Sequence, residues 1–116
     1  MTWDEVVTLG TRLPGVEVAT SYGTPSLKAF GKFLTRLRDE DDSLVLVDVT
    51  FDERELLMEA EPETFHTTPH YKDYPSVLAR LGTVDPGTVA SFLERRWRAV
   101  APKRVLKDYD AQHGPP

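Results

Sequence analysis

The sequence predicts an α+β domain: two layers, a mostly antiparallel sheet, and helices mainly on one face. Three observations carry this. Helix-start signals stand at the beginning, middle and end of the chain, at Thr2–Glu5, Asp52–Glu55 and Asp85-Pro86. Short runs rich in β-branched and aromatic residues lie between them, separated by Gly, Pro or acidic turns. The length, 116 residues with 40% hydrophobic and 28% charged, fits one domain with one core, residues 1–116.

The elements follow in order. In Thr2-Trp3-Asp4-Glu5 the Thr2 hydroxyl can accept from the backbone of Glu5 while Glu5 reaches back. Trp3, Val6, Val7 and Leu13 then recur at helical spacing, until Pro14-Gly15 stops the helix near residue 13. VEVATSY, residues 16–22, reads as a strand broken by Gly23-Thr24-Pro25. SLKAF (26–30) and FLTRLR (33–38) flank Gly31-Lys32, a two-residue turn whose glycine takes positive φ without steric cost. That turn pairs Phe30 with Phe33, Lys28 with Thr35 and Leu27 with Arg36, and puts Leu27, Ala29, Leu34, Arg36 and Arg38 on one face. An acidic turn, residues 39–43, leads to the strand LVLVDVT, 44–50.

Asp52-Glu53-Arg54-Glu55 is a second capping-box pattern, opening a short helix that ends before Pro62. Residues 65–75 read mostly as loop, and SVLARL, 76–81, as a strand. Asp85-Pro86 starts the last helix, with Val89, Phe92, Leu93, Trp97 and Val100 as its apolar stripe and Pro102 as its stop. The polar tail, about 108–116, is expected to fray.

The formal charge of −5 argues against a strongly basic, non-specific nucleic-acid binder. The charge is nevertheless segregated. Residues 39–63 hold eleven carboxylates against Arg54 alone, whereas residues 28–38 hold Lys28, Lys32, Arg36 and Arg38 with no acid before Asp39. With no cysteine, disulfides, thiolate metal sites and cysteine nucleophiles are excluded. No apolar run is long enough to span a bilayer, and MTWDEVV has no secretory-signal pattern. A cytoplasmic location with no membrane partner is therefore the expectation.

The basic hairpin has two readings. Lys32 at its tip could touch a phosphate, in a contact that weakens with salt; alternatively Lys28, Arg36 and Arg38 keep a sheet face solvated and guard its edge. Arg96 falls inside the apolar stripe of the last helix, so it either pairs with a carboxylate or joins Lys103 and Arg104 in binding an anion. Lys103 and Arg104 also suit a helix C-terminus, where the macrodipole favours cations. Phe30 and Phe33 are the aromatic pair to check as a stacking platform. His66 and His70 are four apart, but Pro69 disfavours the helix that would let them chelate a metal. Residues 39–42 lack the glycine and distal glutamate of a calcium loop. No phosphate loop or Ser/His/Asp pattern is present, so neither an enzyme nor a cofactor is expected.

Several short motifs, in order, resemble the MmcQ/YjbR family of small bacterial proteins. They are Pro14-Gly15, Tyr22-Gly23-Thr24-Pro25, Phe30-Gly31-Lys32-Phe33, Thr68-Pro69-His70-Tyr71, SVLARL before Val84-Asp85, and Ala101-Pro102-Lys103-Arg104. The resemblance spans about residues 2–107. It implies a secretion-chaperone-like two-layer fold and the DNA-binding label that the family carries, through a double-wing arrangement of hairpins. Many relatives place a tryptophan before the penultimate strand, where this chain has Tyr74-Pro75-Ser76-Val77. The candidate DNA-contacting residues are Lys28, Lys32, Arg36, Lys103 and Arg104. The alternative is a protein- or small-ligand-interaction module with no nucleic-acid role.

Overall fold

The computed structural model describes residues 1–114. The elements in chain order are α1 (Trp3–Thr11), β1 (Val16–Ser21), β2 (Thr24–Ala29), β3 (Lys32–Arg38), β4 (Ser43–Val47), α2 (Phe51–Ala60), β5 (Phe65–His66), β6 (Ser76–Arg80), α3 (Pro86–Val100) and α4 (Lys103–His113). The six strands form one open antiparallel sheet in the order β1-β2-β3-β4-β6-β5. The predicted α+β class is the one observed.

The helix starts follow from local chemistry. Thr2 and Glu5 make both bonds of the capping box, and Asp85 accepts from the Thr88 amide ahead of Pro86. The middle helix differs from expectation. Its cap is Thr50, whose hydroxyl accepts from the Glu53 amide at 3.1 Å, and Asp52 lies in the first turn, where its charge suits the dipole.

The β2–β3 hairpin corrects the predicted register. Its turn is Phe30-Gly31, both at positive φ (54° and 78°), and Lys32 opens β3, paired with Ala29. Phe30 accepts this strain because its ring packs directly against Gly15, where an added Cβ would clash with the ring. Further along, a bulge sets two residues of β3 against one step of β2, so that Lys28 pairs with Phe33 and Leu27 with Thr35. One inserted residue moves Arg36 from the face of Leu27 to the face of Lys28.

The two faces of the sheet then separate cleanly. One row runs Leu27, Thr35, Leu46, Val77 across four strands. Its apolar members pack with Val6, Val89, Leu93 and Trp97 from α1 and α3 to form the core. The fully buried Trp97 donates its indole N–H to Pro14 O at 2.7 Å, so no buried donor is orphaned there. The opposite row runs Ser26, Arg36, Val45, Leu78, His66. Among the described residues no helix packs over this face; residues 67–75 fold back over part of it.

The expected frayed tail is instead helical as far as His113; residues 115 and 116 lie outside the described residues. Pro102 does end α3 but also serves as the N-cap of α4. The contacts that hold α4 are tertiary. Tyr109 packs on Trp97 with ring centroids 4.8 Å apart, and Asp110 accepts from Arg98 at 2.8 Å. Among the described residues no helix is long and apolar enough to cross a membrane.

Candidate functional site: a tyrosine-lined cleft on the open sheet face

A cleft of about 420 Å³ opens on the face of the sheet that the helices leave bare. Its floor is Val45, Val47 and Ser76, one wall is His70, Tyr71 and Tyr74, and Tyr22 stands at the other side. Arg36 projects into it from β3, and Arg96 and Asp48 close one end.

Arg36 is only 8% exposed. It donates to Thr24 Oγ1 at 3.2 Å, to Leu37 O at 3.4 Å and to the Tyr71 hydroxyl, and Tyr22 and Tyr71 flank its guanidinium at 5.3 and 6.0 Å. None of the ion pairs among the described residues includes it. Burying a cation without a carboxylate is unfavourable, and the neutral oxygens and aromatic faces offset that only in part. Arg96 is different: its Nε donates to Phe33 O at 2.9 Å and its Nη1 pairs with Asp48 at 3.0 Å. The expected choice between an ion pair and an anion-binding group is resolved there in favour of the ion pair.

The wall is held by Arg54, on α2, only 6% exposed. Its Nη1 donates to the carbonyls of Tyr71, Tyr74 and Ser76 at 3.3, 3.1 and 3.2 Å, and its Nη2 to that of Lys72 at 2.7 Å. A segment with no regular structure thus acquires a fixed shape from one planar donor fork. Beside it, on the same face, Asp41 accepts from His66 Nε2 at 2.8 Å and pairs with Arg38. Burial pushes the Asp41 carboxyl up, but the His66 hydrogen bond and the Arg38 charge outweigh it and hold the group below the usual aspartate range. Among the described residues no cluster of three potential metal ligands exists.

The five residues proposed from the sequence do not come together. Lys28 and Arg36 share the open face, with Arg36 turned inward. Lys32 is exposed at the start of β3. Lys103 and Arg104 are exposed in the first turn of α4, in the helical layer. The macrodipole argument for them does not hold, because they stand at a helix N-terminus, where it disfavours cations. Phe30 packs over Gly15 toward the core, whereas Phe33 pairs with Lys28, so they form no common platform.

Sequence reasoning missed Tyr22, Tyr71, Tyr74 and Arg54. Two signals were present. Arg54 is the one cation amid eleven carboxylates, and Tyr22 directly precedes the turn glycine Gly23.

Uncharacterized proteins of Mycobacterium bovis and Mycobacterium tuberculosis are similar to this chain. Each is 28% identical over 127 aligned positions, covering 97% of this chain and 98% of the relative. No protein-family model matches the chain. No solved structure matches it either.

Proposed function

We propose that the protein is a small-ligand-interaction module that receives an anionic group in the tyrosine-lined cleft. The observation that carries this is Arg36, a guanidinium more than nine-tenths buried, lining a cleft, with no carboxylate partner among the described residues. Ligand sites combine an apolar lining with a few placed polar groups, and this cleft has that composition and lies within the usual volume range. Binding rather than catalysis is the reading. The one hydroxyl on the floor, Ser76, donates at 3.4 Å to the Tyr74 carbonyl rather than to a base. Membership of the MmcQ/YjbR family belongs to the same proposal and rests on the ordered short motifs.

Titration with hexanoate, followed by backbone and side-chain NMR, tests the cleft. Shifts are expected around residues 22, 36, 45–48 and 70–76 and are lost in Arg36→Gln. Shifts confined to other surfaces, or unchanged by that substitution, would refute the proposal.

DNA contact through the hairpin is the second reading. It is favoured by Lys32, which is exposed beside the hairpin turn and takes part in none of the ion pairs among the described residues. Anisotropy of a labelled duplex across about 50–200 mM salt tests it, since phosphate contacts weaken steeply over that range. A duplex affinity that falls with salt and is weakened by Lys32→Glu supports it; an affinity indifferent to both rules it out.

A further inference from the structure

We infer that the ligand class of the cleft is a flat aromatic monocarboxylate. This rests on the reading of the cleft as an anion site and adds the charge and shape of the occupant.

The charge follows from the side chains that line the cleft. Arg36 and Arg96 are cationic, Asp48 is anionic and His70 is counted as neutral at pH 7. Asp48 lies 3.0 Å from Arg96 and neutralises it, which leaves one net positive charge, on Arg36. A carboxylate balances that charge. A phosphate monoester dianion leaves a second negative charge unmatched in a partly desolvated site.

The hydrogen-bonding pattern of Arg36 points the same way. Of the five N–H donors of a guanidinium, Nη1 uses both of its own, on Thr24 and Leu37, and Nη2 uses one, on Tyr71. The donors that remain are Nε–H and one on Nη2, the two nitrogens along one edge of the fork. That edge is one of those through which a guanidinium grips a carboxylate with two parallel bonds, provided that the Tyr71 hydroxyl takes the Nη2 proton on the far side. Nε has no acceptor among the described residues, yet it is not among the buried orphan atoms, so it remains accessible.

The shape follows from the walls. Tyr22 and Tyr74 are 88% and 58% exposed, and of the five large hydrophobic side chains most exposed to solvent these two flank the same cleft. Tyr71 and His70 complete the wall in an edge-to-face pair with centroids 4.7 Å apart. The floor is aliphatic, from Val45 and Val47. Aromatic side chains around an aliphatic floor suit a planar ring system better than a flexible chain. Two of the four non-glycine residues at positive φ, Tyr22 (54°) and Asp48 (60°), line this same cleft. For Tyr22, a bulky side chain in that region, the strain is consistent with a binding role.

Calorimetric titration with 2-naphthoate, 2-naphthamide, 2-naphthyl phosphate and octanoate tests the inference on the wild type, Arg36→Gln and Tyr22→Ala. 2-Naphthoate is expected to bind, with the neutral amide weaker by about tenfold or more, as loss of a charged bidentate contact implies. The aryl phosphate and octanoate are each expected to be weaker by several-fold. Arg36→Gln should erase the gap between naphthoate and naphthamide, and Tyr22→Ala the gap between naphthoate and octanoate. Tyr22 is largely exposed, so its truncation leaves the fold intact, and circular dichroism checks the Arg36 variant. Octanoate binding as tightly as naphthoate, still dependent on Arg36, overturns the aromatic assignment while the anion-site reading stands. A tighter aryl phosphate overturns the monocarboxylate. No Arg36-dependent binding by any of the four overturns both readings.

Discussion

Replacing Arg54 with methionine should loosen the wall of the cleft and destabilise the whole domain. Methionine keeps an unbranched apolar stem but ends near the position of Nε, so it removes the guanidinium that lies 4.9 Å from the Phe51 ring together with all four hydrogen bonds to residues 71–76. Hydrogen bonds from a charged donor contribute roughly 1.5–3 kcal/mol each when counted alone. They are not additive in a shared network, and water can reach some of the freed carbonyls of this surface segment. Removing the cation also relieves its own burial, including that of Nε, which is buried without a partner. The net expectation is a loss of about 3–5 kcal/mol, in the range found when a buried polar network is broken. Against a typical total of about 5–15 kcal/mol this is a large fraction. It corresponds to a fall in Tm of roughly 10–20 °C for a domain of this size. Urea denaturation gives the free energy, and hydrogen exchange over residues 67–76 reports the wall directly. Arg54→Lys, with one ammonium in place of the fork, should recover less than half of the loss. A loss below about 1 kcal/mol in Arg54→Met, with unchanged protection of the segment, would show that the wall is held by something else.

Two further substitutions test the frame around the site. Gly15→Ala should lose about 2–4 kcal/mol, because residue 15 has φ +76° and its new Cβ would meet the Phe30 ring. Gly23→Ala, at φ +74° in open space, should lose only about 1 kcal/mol, and equal losses in urea denaturation would contradict the role given to Phe30. Asp41 supplies a pH dependence. Its folded pKa lies below the ordinary 3.8, so its stabilisation is present above that value and is lost as pH falls through the depressed one. The stability gap between wild type and Asp41→Asn should therefore narrow in acid. A gap that stays constant from about pH 7 down to about pH 2 would exclude this linkage.

Much of the fold was legible because it rests on local rules. Thr2 with Glu5 and Asp85 with Pro86 satisfy helix-end donors within a few residues, so sequence alone suffices to place them. The stripe from Val89 to Trp97 is likewise a local periodicity. The failures have non-local causes. The hairpin turn moved by one residue because Phe30 finds its contact on Gly15, across the β1–β2 pair. Residues 108–113 are helical because Trp97 and Arg98 offer Tyr109 and Asp110 a surface and a partner. Arg54 reads as one more charge on an acidic helix until residues 71–76 are folded beneath it.

The sequence by itself determined the α+β class, the positions of most elements, the absence of thiol chemistry and the segregation of charge. All of these depend on residue type and short-range spacing. Which cations are available to a partner was decided only by the tertiary structure. One bulge in β3 carries Arg36 to the open face, and the 67–75 segment closes over it. A residue that the sequence groups with a basic hairpin thereby becomes the unneutralised cation of a cleft. The physical reason is that sheet register has a period of two, so one inserted residue exchanges the two faces, and no local pattern announces that insertion.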